Sequence, residues 1–158
     1  MKKQQVKAIL DITKNEYRQP LTYLQIDLYN DKPVLVATDS YTLIALYADE
    51  SMRDKIGHGI TRNTLEVWYK LASGRDTLDF TELETEKHDT FPKWQQILEA
   101  TEQKPSDQLG FDSKLASRLE TIAGERLYYK LSGNDGAMVA NTDNGLFVLM
   151  PLKPKKGA

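Results

Sequence analysis

Polar side chains are crowded into one turn between two apolar runs, within VLVATDSYTLIALY (residues 34–47). The turn itself, TDSYT (residues 38–42), contains neither Gly nor Pro. Asp and Ser side chains accept hydrogen bonds from nearby backbone N–H groups, so one interpretation is an ordinary turn. The other is a binding surface, which depends on what the rest of the chain places beside this turn.

The titratable side chains indicate no catalytic site. His58 and His88 lie in unrelated contexts, and neither belongs to an HExxH motif. The chain has no cysteine, which excludes disulfides, zinc ribbons and thiol catalysis. It also lacks GxGxxG, Walker and GxSxG motifs. Asp39 and Asp143 could be imagined as a catalytic pair, but turn roles explain each of them more simply. We therefore predict a protein that is not an enzyme and uses no cofactor or metal.

Length and composition predict a globular protein. The 158 residues suffice for one domain of ordinary size, or one domain with an insertion. The chain is 40% hydrophobic and 28% charged, which is typical of a folded protein. Its apolar runs are too short to span a bilayer, and the N-terminus lacks the apolar segment of a secretory signal. Because the absence of cysteine fits a reducing cytosol, we expect a cytoplasmic protein without a membrane partner.

The charge of the chain gives no overall attraction to nucleic acid. The net charge is −2, from 21 basic and 23 acidic residues. A local basic face is still compatible with this balance, because binding depends on where the charges lie. The tail KPKKG (residues 153–157) is locally basic, and we interpret it as a solubilising end.

The first 50 residues predict a helix followed by three strands. Residues 3–14 are expected to be helical because Val6, Ile9, Leu10 and Thr13 form one apolar stripe. The three strands, with a hairpin turn at Asn30-Asp31, are predicted at residues 23–30, 32–38 and 43–48.

The middle of the chain predicts a further helix. Thr61 can cap a helix over residues 62–73, and Gly74 is a suitable stop. The other elements expected here are a short strand, a strand with alternating apolar side chains and a polar loop, at residues 57–60, 76–84 and 102–108.

The last segment repeats the opening pattern. Asp112 is expected to cap a helix over residues 113–123, with Leu115, Leu119 and Ile122 on one side. Three strands follow, separated by hairpin turns at residues 134–136 and 143–145, and they are predicted at residues 126–132, 136–142 and 146–152.

The repeated order of helix and three antiparallel strands predicts an α+β fold with an internal duplication. We predict a single domain over residues 1–158. It comprises one half-unit at residues 1–50, a middle segment at residues 51–104 with the extra helix, and a second half-unit at residues 105–155.

Four stretches of the chain resemble the bacterial sliding clamp, the beta subunit of the replicative DNA polymerase. Residues 34–47 are similar to the clamp's V-A-T-D-G-x-R-L-A turn, and TFPKWQQIL (residues 90–98) to its F/Y-P-D-Y-x-x-x-L segment. GITRNTLEVWYKL (residues 59–71) is similar to its I-x-P-x-x-x-L-x-x-L helix. LGFDSKLASRLETIA (residues 109–123) and GLFVLMPLKP (residues 145–154) resemble its last half-domain. The order of these stretches carries the resemblance, since each alone is weak.

The resemblance implies a clamp-like domain with a pseudo-two-fold repeat of a helix and three or four antiparallel strands. In the family, two helices of each domain face DNA across a ring of six domains, and sheets form the outer wall. This chain holds about one such domain, so a closed ring would require roughly six copies as a homo-oligomer. The helix at residues 62–73 exceeds the two expected, which leaves open an insertion or an unusual splice of half-units.

The resemblance also implies a peptide groove. In the family, the turn and the terminal strand line a hydrophobic groove that captures peptides of polymerases and other replication proteins. The matching positions here are Thr38, Ser40, Tyr41, Thr42, Leu43, Val148, Met150, Pro151, Leu152 and Lys153.

Two positions of this groove depart from the family pattern. Ser40 replaces the family's Gly, and Thr42 replaces its Arg, which removes a long cation and one wall of the groove. In the family the two elements come from adjacent domains, so here they must meet within the chain or across an interface. The alternative interpretation is that Val148, Met150 and Leu152 form a core-facing edge without a ligand.

Basic side chains on the helices are the candidates for contact with double-stranded DNA. In a clamp these faces contact phosphates independently of sequence, with strong salt dependence. Sparse lysines on solvated helix faces are also ordinary, so that alternative stays open. The candidates are Lys3, Lys7, Lys14, Lys114 and Arg118.

Two functions remain open at this stage. The first is a small clamp-like processivity or DNA-tethering factor for replication, and its compactness suggests a phage or mobile element. The second is a clamp-fold interaction module that binds replication-protein peptides without encircling DNA. Basic helix faces favour the first, whereas the acidic net charge and the missing ring domains favour the second.

Overall fold

The structure, a computed structural model, describes residues 1–14, 18–88, 90–99, 110–131 and 136–152. These residues form three α-helices, four short 3-10 helices and one antiparallel sheet of eight strands. The predicted α+β class is therefore confirmed. The predicted linker at residues 102–108, Lys153 with the basic tail, and most of the turn at residues 134–136 lie outside the described residues.

The first helix and the strand meander that follows it agree with the sequence. Helix α1 spans Lys3–Ile12, and its apolar stripe, including Val6 and Ile9, is buried. Strands β1 (Tyr23–Tyr29), β2 (Lys32–Thr38) and β3 (Thr42–Tyr47) pair antiparallel in chain order.

The hairpin turn between β1 and β2 is tight. Asn30 and Asp31 both adopt positive φ angles, 49° and 58°. These are the values that a two-residue turn of this type needs, and Asn and Asp accept them more easily than most residues. The turn predicted at these two residues is therefore confirmed.

The two ends of the chain join through β3 and β8. Strands β7 (Met138–Thr142) and β8 (Gly145–Leu149) form a hairpin, and β8 pairs with β3 in the register Thr42↔Leu149 to Leu46↔Gly145. With β4 (His58–Thr61), β5 (Glu86–Lys87) and β6 (Lys130–Leu131), the strand order is β5-β4-β1-β2-β3-β8-β7-β6, so the β3–β8 pair lies within the sheet, between β2 and β7.

The edges of the sheet come from short strands. Strand β4 (His58–Thr61) pairs with β1 and leads directly into helix α2 (Arg62–Leu71), whose N-terminus Thr61 caps as predicted. Helix α2 ends before Gly74, because Ala72 is already extended. Strand β5 (Glu86–Lys87) completes this edge.

The opposite edge is shorter than the sequence indicated. Asp112 caps helix α3 (Ser113–Ala123) as predicted, and Gly124 ends it in the left-handed conformation. Strand β6 covers only Lys130–Leu131 instead of starting at residue 126. The backbone N–H of Leu127 donates to the Glu120 carboxylate, so this residue is held by α3 rather than by a neighbouring strand.

The strand predicted at residues 76–84 is wrong. This segment contains one isolated bridge, between Thr77 and Lys2, and a 3-10 helix at Phe80–Glu82. Asp79 accepts hydrogen bonds from the backbone N–H and the hydroxyl of Thr81, which stabilises the turn and lowers the pKa of Asp79. Leu78 and Phe80 alternate with polar residues because both side chains pack against the core on the helix side of the sheet, and not because the segment belongs to a strand.

The sheet has two apolar faces. One packs against the three helices and includes Ile26, Ile44 and Phe147. The other includes Val36, Ala45 and Val148, and is covered by a segment that we call the strap (residues 90–98). The strap contains the 3-10 helix Trp94–Leu98. Among the described residues, no helix combines the length and the apolar character needed to cross a membrane.

Candidate functional site

The turn at residues 38–42 is held by its own polar side chains. One carboxylate oxygen of Asp39, Oδ1, accepts hydrogen bonds from the backbone N–H of Tyr41 (3.0 Å) and of Thr42 (2.7 Å), and from the Thr42 hydroxyl (2.9 Å). The Thr38 hydroxyl donates to the carbonyl of Thr42 at 2.8 Å. Ser40 adopts a φ of 75°, where the resembled family has glycine. The prediction that polar side chains of this turn hydrogen-bond to its own backbone is therefore confirmed.

Helix α3 contacts the same turn. Arg118 on α3 donates from Nη1 to Oδ2 of Asp39 at 3.3 Å, and both side chains are largely buried, with 24% and 17% of their surface exposed. The second carboxylate oxygen of Asp39 is thereby also used. Asp39 thus links the helix layer to the turn that lies between β2 and β3.

A groove of about 850 Å³ opens beside this turn, on the strap side of the sheet. The turn and strand β8 meet there because Leu43 pairs with Val148, and the backbone N–H of Met150 donates to the carbonyl of Tyr41 at 2.9 Å. Six of the ten predicted groove residues line it: Thr38, Ser40, Thr42, Leu43, Val148 and Met150.

The other four predicted groove residues are placed differently. Tyr41 is 65% exposed and is not part of the lining. Leu152, 56% exposed, forms a bridge with Gly110 instead of a groove wall. Pro151 is half-buried near Gly136, and Lys153 lies outside the described residues.

The strap supplies the wall that sequence reasoning missed. Phe91, Pro92, Gln96 and Ile97 line the groove opposite β8, and Leu21 contributes from the segment before β1. The sequence TFPKWQQIL carried part of the family resemblance but was given no role. Its aromatic and aliphatic side chains around a proline, outside any predicted helix or strand, were the available signal.

Trp94 anchors the strap to strand β1. Its indole N–H donates to Oδ2 of Asp27 at 2.8 Å, and its ring lies 5.7 Å from that of Tyr29. The side-chain amide of Gln95 donates to the carbonyl of Leu28 at 2.7 Å. Trp94 is only 4% exposed, so this anchor lies within the core on the strap side of the sheet.

The five candidate DNA contacts fall into two groups. Lys7 on α1 and Lys114 on α3 are exposed, and Lys14 is also exposed but lies beyond the end of α1, contrary to the helix predicted to residue 14. Lys3 instead donates to the carbonyl of Ala72 at 2.6 Å, beyond the last turn of α2, and its Nζ lies 4.8 Å from the ring centre of Tyr69. Arg118 is paired with Asp39, as described above.

The candidate catalytic groups are dispersed. His58 contacts the Thr85 hydroxyl at 3.3 Å, whereas His88 stacks on Tyr23 with ring centres 4.3 Å apart. Asp39 and Asp143 lie at opposite ends of the β3–β8 pair, since Thr42 pairs with Leu149 and Leu46 with Gly145. In the ranges that the structure describes, no group of three or more His, Cys, Asp or Glu residues could hold a metal ion.

Comparison with known proteins finds no family model, no curated protein and no solved structure that matches the chain.

Proposed function

We propose that this protein is a non-catalytic, clamp-like module that captures short peptides of replication proteins in the groove. The observation that carries the proposal is the pairing of β3 with β8. It brings Leu43, Val148 and Met150 together with the turn at residues 38–42, in the combination that the family resemblance implies for a peptide groove.

The chemistry of the groove suits a peptide with two or three large apolar side chains. Its volume lies in the range typical of ligand sites. Met150 is flexible at the side-chain level, and thioethers adapt to partners of different shape. Ser40, which is exposed, offers a polar group along one side. Thr42 is 2% exposed and uses its hydroxyl within the turn, so it does not replace the long cation of the family.

The arrangement of the strands supports a clamp-like repeat. The orders β1-β2-β3 and β6-β7-β8 are mirrored about the central β3–β8 pair, and each follows a helix, α1 or α3. We propose that these are the two half-units, residues 1–50 and 105–155. The middle segment then adds α2, two edge strands and the strap to one side of the repeat.

DNA tethering is the second candidate, and the exposed lysines of the helix layer favour it. Lys7, Lys14 and Lys114 are available to phosphates, whereas Lys3 and Arg118 would first have to leave their present contacts. One chain of 18.0 kDa cannot enclose a duplex, so tethering by a closed ring requires self-association. Light scattering tests that requirement directly, because a monomer at all concentrations would exclude a ring.

Peptide binding is tested by titrating a fluorescent peptide, of the kind that bacterial sliding clamps bind, against wild type and two variants. We expect micromolar affinity, about −8 kcal/mol. Met150→Ala removes a groove wall and should weaken binding about tenfold or more. Tyr41→Ala should weaken it by a smaller factor, since this ring lies beside the groove. Tyr128→Ala is the matched control, because Tyr128 is 80% exposed on a different part of the surface.

Thermal melts of each variant separate lost binding from lost folding. Saturable binding by wild type, reduced in Met150→Ala at an unchanged melting temperature, supports the groove. Absence of wild-type binding at about 500 μM, well above a micromolar dissociation constant, would contradict the proposed function.

A further inference from the structure

We propose that a second pocket, separated from the groove by the strap, binds an arginine side chain of the same peptide. The pocket has a volume of about 440 Å³ and lies over strand β1. It shares Phe91, Pro92, Lys93, Trp94 and Gln96 with the groove, so one extended chain could cross the strap and reach both. The assignment of the arginine to that peptide rests on the proposed function.

The floor of this pocket holds a buried acceptor without a donor. Gln25 is 7% exposed, and its Oε1 has no hydrogen-bond partner among the described residues. A buried polar atom that is left unpaired is costly, so such atoms in native proteins call for an explanation. A ligand that donates hydrogen bonds into the pocket would supply the missing partner.

A carboxylate lies next to this acceptor in the lining. Asp27 accepts one hydrogen bond at each oxygen, from the Leu28 backbone N–H (2.8 Å) and from the Trp94 indole (2.8 Å). Each carboxylate oxygen has two lone pairs, so both can accept a further hydrogen bond. Gln25 and Asp27 therefore present several acceptor positions and favour a ligand with several donors.

The walls and charges of the pocket select a guanidinium among such donors. Phe91, which is partly exposed, provides an aromatic surface, against which a planar guanidinium stacks better than an ammonium does. Of the side chains that line the pocket, Asp27 and Glu99 are acidic, Lys93, which is exposed, is the one Lys or Arg, and His88 is stacked on Tyr23. The balance attracts a cation with five donors in a fixed plane, which is the arginine side chain.

The first test uses N-acetyl-L-arginine methylamide as the probe, with the citrulline analogue as its neutral match. Both are titrated into ¹⁵N-labelled protein, and the indole N–H of Trp94 and the side-chain amide of Gln25 are followed. We expect a saturable millimolar shift with the arginine probe and binding about tenfold weaker with citrulline. The indole of Trp68 on α2 is the internal reference and should not move.

Three variants assign the site. Gln25→Leu keeps the side-chain volume and removes the acceptor, a change that a buried position tolerates. It should weaken binding of the arginine probe about tenfold. Lys93→Gln removes the cation at the mouth of the pocket and should strengthen binding of the arginine probe. Gln4→Leu, at an exposed position on α1, is the control and should have no effect. Absence of a Trp94 shift at about 50 mM probe, or equal binding of arginine and citrulline, would overturn the inference.

A second test distinguishes this inference from the proposed function. Groove peptides that carry either arginine or citrulline are compared in wild type and Gln25→Leu. The inference is supported if the arginine peptide binds more tightly than the citrulline peptide to wild type but not to Gln25→Leu. If neither peptide binds while the arginine probe still shifts Trp94, the peptide-binding function and the assignment to that peptide are overturned, and the preference for arginine over citrulline stands.

Discussion

The two faces of the sheet are covered in different ways. On one face, three helices pack over a continuous core, and large side chains such as Ile44 and Phe147 are fully buried. On the other, one strap without an α-helix covers part of a smaller core and leaves the groove and the second pocket on either side of it. The helix face is covered by the chain itself, whereas the strap face leaves apolar side chains such as Met150 and Phe91 partly exposed in these two pockets.

This difference indicates that the two faces of the sheet contribute differently to the stability of the fold. Closed packing stabilises the fold because it removes the most apolar area from water. The strap face contributes less, yet its wall is held at defined points, by Trp94 on Asp27 and by Gln95 on the carbonyl of Leu28. A wall that is already ordered lowers the cost of ordering for the peptide binding that we propose. Four predictions test how differently the two faces contribute to stability.

The largest effect is expected from Phe147→Ala, on the helix face. Phe147 has no exposed surface, and truncation leaves a cavity that rigid helices cannot fill. We expect a loss of about 3–5 kcal/mol in the free energy of unfolding, measured by chemical denaturation. Val148→Ala, on the adjacent position of the strap face, is the comparison. An equal or larger loss from Val148→Ala would contradict the division between the faces.

A smaller effect is expected from Trp94→Phe, on the strap face. The change removes the hydrogen bond to the Asp27 carboxylate, which as a bond to a charged group contributes roughly 1.5–3 kcal/mol. Hydrogen exchange should accelerate at residues 94–98 before it does so in α1 or α3. Trp68→Phe on the helix side is the control, since the described residues give its indole no acceptor. Uniform acceleration over the whole sheet would show that the strap is not an independent unit.

Ser40→Gly should stabilise the protein slightly. Ser40 is held at a φ of 75°, where an L-residue other than glycine is strained, and the larger freedom of glycine in the unfolded chain offsets part of the gain. We expect up to about 1 kcal/mol in chemical denaturation. Asn30→Gly is the matched comparison, because asparagine tolerates positive φ better and should gain less. A loss of stability in Ser40→Gly would mean that the serine hydroxyl contributes more to the turn than the strain costs.

The last effect is confined to alkaline pH and lies on the helix face. Burial raises the pKa of Tyr129 to about 12, and Glu120 adds to the increase. In the unfolded chain this group ionises near its ordinary value of 10.0. Between these two values the unfolded state loses the proton first, so the free energy of unfolding should fall as the pH rises. Tyr129→Phe should remove this decline, whereas Tyr128→Phe, at an exposed position, should preserve it; the same decline in Tyr129→Phe would assign it to other groups.

The local elements could be predicted because each is encoded by neighbouring residues. The apolar stripe of α1, the caps at Thr61 and Asp112, and the hairpin turn at Asn30-Asp31 all act within a few residues, so their signals are visible in the sequence. The strand prediction at residues 76–84 failed because the local pattern there is compatible with two structures. Leu78 and Phe80 alternate as in a strand, but the hydrogen bonds of Asp79 close a 3-10 turn there.

Sequence reasoning identified only part of the site, because the rest depends on contacts between segments that are distant in the sequence. The family resemblance named both the turn at residues 38–42 and the strand at residues 148–153, but their meeting depends on the pairing of β3 with β8, which are separated by most of the chain. The position of the strap depends on the hydrogen bonds from Trp94 to Asp27 and from Gln95 to the carbonyl of Leu28. Likewise, only the folded structure directs Lys3 to the carbonyl of Ala72 and Arg118 to Asp39. Residue types and local periodicity determine which elements form, whereas register and packing between distant segments decide which side chains share a surface.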